Sequence, residues 1–268
     1  MLFRSILEHE DLREAPLSRY HSGKVEPITS RFNLSYSTIL NLYGRMGLGL
    51  LDAYDKSFAA FQAQTGSQAA RTKKRNAARA TLLNRIQILR AAGYLGDEGV
   101  LDRGKVAQKI NGYEIQATEL LFGGALDGMD IHQLAATFAA LIHEERRSAD
   151  PRAHRIGPGP RMEAVTAAVR RFIRIELEHG VKTPIKEPDW GIAAAVDCWS
   201  RGGSIEDLER LARTDAGDVV RTLRMAIQMM RQVRMVLGKK QDLGYRLDEA
   251  IVAINRDVVD AKRQFELG

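Results

Sequence analysis

Apolar residues recur every three to four positions along most of this chain, the repeat of a helix with one buried face. Residues 1–30 depart from it. They are mixed and polar, broken by Pro16, Gly23 and Pro27, and read as an extended arm or linker. Order begins at Arg31, where Leu34, Ile39, Leu40 and Leu42 anchor a helix to about Tyr43. A second helix is predicted from about Leu50 to Ala63, closed by Thr65-Gly66-Ser67. The run Arg71-Thr72-Lys73-Lys74-Arg75 leads a third, with Leu82, Ile86 and Leu89 on one face and Gly93 suited to a left-handed cap. Two short apolar pairs between Tyr94 and Leu101 flank an acidic, glycine-bearing turn, the pattern of a small hairpin. Helices followed by that hairpin predict a winged-helix-like unit over residues 31–112.

From Glu114 onward the repeat is helical throughout. A short helix over Glu114–Phe122 ends at Gly123-Gly124. Asp130 with Gln133 forms a capping box for a helix to about Arg147, and residues 150–160 form a loop. Further helices are expected at Met162–His179, at Trp190–Arg201, after Ser204, at Gly217–Leu237 and at Leu247–Phe265. The fold class is therefore mainly α: a winged-helix unit with a small β-hairpin, then an all-helical bundle over residues 113–268.

Composition narrows the chemistry. The net charge of +6 is a modest excess, so the placement of the cations decides whether an anionic partner is implied. One cysteine, Cys198, excludes an internal disulfide and a multi-cysteine zinc site, and fits a reduced, cytoplasmic setting. Membrane association is not expected, because no apolar run reaches membrane length.

The most informative cationic pattern lies in the penultimate helix. At about 100° per residue, Arg221, Arg224, Arg231 and Arg234 fall within an arc of roughly 140°, with Val219, Leu223, Ala226, Met230 and Val233 mostly opposite. Such a row offers donors to the phosphates of one strand, and guanidinium planes to exposed bases. The same row is compatible with a solvated face knitted by internal salt bridges. Lys73, Lys74 and Arg75 read either as phosphate contacts or as a solubilising helix start.

Other constellations fail. His143-Glu144 lacks the second histidine of a zincin motif, because Arg147 stands in its place. Adjacent Glu144 and Glu145 point about 100° apart and form no acid–base pair. Cys198 is expected as a core thiol, and Met225, Met229, Met230 and Met235 as fillers of gaps in the bundle.

Several strings resemble the superkiller-type DExH-box RNA helicases of superfamily two. Glu26-Pro27-Ile28-Thr29-Ser30-Arg31-Phe32-Asn33-Leu34-Ser35-Tyr36 is similar to the segment after their second RecA-like domain. Lys56-Ser57-Phe58-Ala59-Ala60-Phe61 resembles the string that follows it, and Gly93-Tyr94-Leu95 through Ala107 their winged-helix hairpin. Thr118-Glu119-Leu120-Leu121-Phe122, Glu144-Glu145-Arg146 and Ile254 through Val259 resemble their C-terminal helical domain, termed DSHCT. The resemblance implies that the Gly217–Leu237 helix is a ratchet helix lying across a single strand of RNA. It places Arg221 and Arg224 near that strand and Glu145 facing it. Met225 stands where relatives often carry arginine.

The departures matter equally. No phosphate loop, DExH string or γ-phosphate-sensing arginine motif occurs in this sequence, so it holds no apparatus for ATP hydrolysis. ATP and magnesium enter only through a motor domain outside it, and no catalytic activity is expected of this chain alone. Phe61 leads to the Leu82 helix in about twenty residues, which leaves no room for the long arch of some relatives.

The leading expectation is an accessory module that completes the nucleic-acid channel of a helicase. Its partners would be single-stranded RNA or DNA, a RecA-like motor in cis or trans, and RNA-degrading machinery. A free-standing helix-turn-helix or winged-helix DNA regulator is the alternative, since a helix after Ser204 and the arginine helix imitate that motif. A protein-interaction scaffold is a third. Replacing Arg221 and Arg224 by Ala is expected to weaken strand binding and leave the fold intact.

Overall fold

Ser35 opens the first helix of the computed structural model, which describes residues 35–62, 67–144, 160–212, 214–237 and 242–260. The expected arm over residues 1–30 and Glu145 lie outside these. Helix α1 (Tyr36–Met46) starts where the Ser35 hydroxyl accepts the Thr38 N–H, and stops at Gly47, whose φ of 55° suits glycine. The single helix expected over 50–63 is instead two, α2 (Leu50–Asp55) and α3 (Phe58–Gln62). Ser57 makes the break: its hydroxyl accepts the Ala60 N–H at 3.2 Å and so starts a new helix.

Helix α4 (Gln68–Ala91) is long, and only its second half reaches the core, through Leu82, Ile86, Ile88 and Leu89. Strands β1 (Leu95–Gly96) and β2 (Gly99–Val100) pair antiparallel, Leu95 opposite Val100. Helix α5 (Asp102–Ala107) packs behind this hairpin.

Helix α6 (Glu114–Phe122) has the predicted bounds. The predicted capping box of Asp130 and Gln133 opens α7 (Ile131–Ile142). That helix ends short of Arg147 because the Asp189 N–H occupies the Ala140 carbonyl at 2.8 Å, the acceptor a further turn would need. Helix α8 (Pro160–Glu178) follows, then a 3-10 turn (Trp190–Ile192), α9 (Ala193–Ser200) and α10 (Ile205–Ala212). The long α11 (Ala216–Leu237) leads to α12 (Asp242–Ile254). The last helix thus begins before Leu247 and ends well before Phe265. The Trp199 indole N–H takes the Ile254 carbonyl at 3.0 Å, and Asp257, at φ 51°, turns the chain into a short 3-10 segment (Asp257–Val259).

Two hydrophobic clusters organise the chain. The larger surrounds α7, which is buried continuously from Leu134 to Ile142. No Asp, Glu, Lys or Arg occurs in that helix, so it can be enclosed by α9, α11 and α12. The smaller gathers α1, α4 and the hairpin against Phe172 of α8 and Ile115 of α6. Tyr36 and Tyr94 meet the Phe172 ring edge-on, at 5.2 and 5.8 Å between centroids.

Buried carboxylates lock α6 and α8 to the smaller cluster. Glu119 accepts from the Tyr94 hydroxyl at 2.9 Å and pairs with Arg103 at 2.5 Å and Arg171 at 2.8 Å. Glu176 accepts from the Tyr36 hydroxyl and the Ile185 N–H, both at 2.7 Å. Burial holds the Glu176 carboxyl above its usual range, partly offset by those two donors and the Arg85 charge. The Thr118–Phe122 string is therefore a structural hub. None of the described helices is long and apolar enough to cross a membrane.

Candidate nucleic-acid interface

One face of α11 is fixed by packing. Val219, Leu223, Ala226, Met230 and Val233 are buried against α7 and α12, so the polar face must turn outward. It forms the floor of an open groove of about 1040 Å³. Asn111, Gly112 and Tyr113 make one wall, and the turn from Asn255 to Asp260 makes the other.

The four arginines of the row have three different situations. Arg221 and Arg231 are exposed and line the groove, and neither has an ion pair or hydrogen bond among the described residues. Arg224 also lines it, but its guanidinium is occupied: it donates to the carbonyls of Val259 at 3.0 Å and Val258 at 2.7 Å. Arg224 thus also tethers the groove wall, so its replacement by Ala would remove a structural contact together with a charge. Arg234 sits at the far edge of the arc, outside the groove lining, and pairs with Asp248 of α12 at 2.8 Å.

Three residues that the sequence reading did not single out as contacts complete the floor. Gln228 and Gln232 lie about 20° to either side of Arg221 on the helical wheel, a signal available from periodicity alone. Gln232 Oε1 accepts the Asn111 N–H at 2.6 Å, which leaves its amide N–H₂ free to donate into the groove. Met225 is exposed on the same floor, and Met235 is exposed beyond it; only Met229 and Met230 fill the core as expected.

Tyr113 stands at the rim in a left-handed conformation (φ 55°), its hydroxyl donating to the Ile142 carbonyl at 3.3 Å. Burial and the Glu144 charge raise its pKa, while Lys186 and Arg221 oppose that shift. Arg221 thus acts electrostatically on the rim as well as the floor.

The remaining candidates fall elsewhere. Lys73, Lys74 and Arg75 are exposed on α4 and take no part in the groove lining. Glu145 lies outside the described residues, and its neighbour Glu144 is exposed and paired with Lys186. Cys198 is half-buried, with Gly203 close to its sulfur. Among the described residues no group of three metal-binding side chains occurs.

This arrangement can hold an extended anionic chain. It offers two guanidiniums unengaged among the described residues, two side-chain amides and a methionine thioether along one helix, in a cleft open to solvent.

Residues 97–262 match the model of the DSHCT (NUC185) domain family, a segment that contains the whole of α11 and both groove walls. Human "Superkiller complex protein 2" is 28% identical over 185 residues, 66% of this chain but 15% of that protein. "DExH-box ATP-dependent RNA helicase DExH9" of Arabidopsis thaliana is 27% identical over 194 residues, covering 66% of this chain and 19% of the relative. "Probable helicase HelY" of Mycobacterium tuberculosis is 28% identical over 179 residues, 61% of this chain and 19% of the relative. The chain thus spans less than a fifth of the length of these relatives. With the fold, the groove and the matched segment all in register, this chain belongs to the DSHCT domain family found in superkiller-type DExH-box helicases.

Proposed function

We propose that this chain is the C-terminal guiding region of an ATP-dependent RNA helicase, and that the α11 groove holds single-stranded RNA. The observation that carries this reading is the outward face of α11, where Arg221 and Arg231 stand in an open cleft with no partner among the described residues. ATP hydrolysis belongs to RecA-like domains outside this sequence, in cis or in trans, and magnesium is needed only there. The groove restrains strand that the motor pulls, through phosphate contacts that are strong enough to prevent slipping and indifferent to sequence. The α1–β2 unit acts as a winged-helix-like support, in the cytoplasm, beside RNA-degrading machinery.

The helix-turn-helix alternative is disfavoured by shape. A recognition helix must protrude to enter the major groove of a duplex. Helix α11 is instead the floor of a concavity, with Tyr113 on one side and Val258 on the other.

The test is fluorescence anisotropy of a labelled oligouridylate with the full chain. Arg221→Ala with Arg231→Ala should weaken binding roughly tenfold or more and flatten its salt dependence by about 1.4 in the log–log slope, two single-strand phosphate contacts at about 0.7 each. Duplex DNA binding in preference to the single strand would favour the regulator. Binding of neither would favour a protein scaffold.

A further inference from the structure

The first half of α4 is unlike any other helix here. From Gln68 to Thr81 no residue is buried, so about 20 Å of helix runs clear of the core. The whole helix carries seven cations, Arg71, Lys73, Lys74, Arg75, Arg79, Arg85 and Arg90, and no Asp or Glu. A solubilising face normally mixes both signs.

Helical geometry shows what became of the core-facing stripe. Leu82, Ile86 and Leu89 lie on one stripe in the buried half. At about 100° per residue the same stripe continues backward as Arg79, Arg75 and Arg71, one turn apart. Arg79 is held to Asp55, the last residue of α2, at 2.5 Å. Arg85 lies over the Tyr36 ring at 5.3 Å, and Arg90 donates to the Tyr43 hydroxyl at 3.0 Å. Lys73, Lys74 and Arg75 have no hydrogen bond or ion pair among the described residues.

The Arg79–Asp55 pair also fixes what lies alongside. Three residues after Asp55 comes Phe58, 50% exposed, and then Phe61, 64% exposed, stacked with it at 6.1 Å and 20° between planes. Two large apolar rings are thus exposed just after the end of α2 that Arg79 of α4 holds. Phosphates satisfy the cations, and unstacked bases satisfy the rings.

We propose that Phe58, Phe61 and the Lys73–Arg75 segment of α4 form a second contact for single-stranded nucleic acid, separate from the α11 groove. It rests on the functional reading above only for the class of partner. The rings select an unpaired strand, because the bases of a duplex offer no free face for stacking. The lysines and Arg75 supply affinity without sequence choice.

The experiment uses the full chain and a labelled oligouridylate of about 20 nucleotides, long enough for more than one contact. Three variants are compared: K73A/K74A/R75A, F58A/F61A, and R221A/R231A. The substituted α4 side chains are exposed and Ala favours helix, so circular dichroism should show an unchanged fold. K73A/K74A/R75A should weaken binding roughly tenfold or more and lower the log–log salt slope by about 2, at about 0.7 per lost phosphate contact. F58A/F61A should weaken it roughly tenfold with the slope unchanged. Wild-type affinity in both K73A/K74A/R75A and F58A/F61A, with loss in R221A/R231A, overturns this second contact and leaves the groove reading standing. Loss in K73A/K74A/R75A and F58A/F61A alone keeps the second contact and removes the groove. Polyglutamate binding that disappears in K73A/K74A/R75A while oligouridylate affinity is unchanged assigns the surface to an acidic protein, and overturns the proposal.

Discussion

The guanidinium of Arg256 lies 3.7 Å from the centroid of the Trp199 indole ring and donates to the Trp199 and Gly203 carbonyls, at 2.7 and 2.5 Å. The indole in turn donates to the Ile254 carbonyl. Trp199 and Arg256 therefore clamp the end of α12 to α9, and the turn they hold is one wall of the α11 groove. Arg256→Lys keeps the charge but loses the planar fork and the ring contact. It should cost about 2–3 kcal/mol in urea denaturation, mostly from two charge-assisted hydrogen bonds and a partly desolvated cation–π contact. A change below about 0.5 kcal/mol, the scale of an ordinary surface substitution, would show that the clamp is dispensable.

Gly104 marks where α5 meets the hairpin. A Cβ there would run into the Tyr94 carbonyl oxygen and Cγ1 of Val100, and the backbone carbonyl cannot step aside without breaking its bond from the Leu101 N–H. Gly104→Ala should therefore destabilise by roughly 1–3 kcal/mol despite the better helix propensity of Ala. The thermal midpoint should fall, and a midpoint at or above that of the parent chain would contradict the packing described.

Glu176 makes stability depend on pH in an unusual direction. Its folded-state pKa lies above the ordinary carboxylate value because burial opposes the charge. The folded chain thus takes up a proton before the unfolded chain does, and this group makes folding more favourable as pH falls through its raised pKa toward about 4.5. Above that window the buried charge is a cost that folding must bear. In Glu176→Gln this contribution should vanish, with the amide still able to accept the Ile185 N–H and donate to Tyr36. Urea midpoints measured between mildly acidic and neutral pH should differ in slope between the two proteins, and parallel curves would remove Glu176 as the source.

Periodicity and capping chemistry made much of this fold legible in the sequence. Both act locally, so α6 and the Asp130–Gln133 box could be placed to the residue. What local pattern could not reveal was competition from distant groups. Helix α7 ends where Asp189 claims the Ala140 carbonyl, and α12 ends where Trp199 claims that of Ile254. The buried role of Glu119 was equally hidden, since its partners Arg103 and Arg171 are 16 and 52 residues away. For the groove, the wheel correctly set Arg221 outward. It could not assign Arg224 to backbone carbonyls or Arg234 to Asp248, because both partners come from later in the chain.

Those different partners divide the arginine row into residues that should and should not matter for strand binding. Arg231 is exposed on the groove floor, whereas the Arg234 side chain packs against α12, its Nε and Cδ 3.3 Å from where a Cβ of Gly244 would stand. Arg231→Ala should lower the log–log salt slope for oligouridylate by about 0.7, the loss of one phosphate contact. Arg234→Ala removes an equal formal charge but should leave that slope unchanged, and its stability cost should stay within about 1 kcal/mol because Asp248 is half exposed. Net charge is matched between the two variants, so general electrostatic attraction predicts equal effects, and only an oriented groove predicts unequal ones. Equal slopes in the two titrations would mean that the strand senses the overall charge of the chain and not the face of α11.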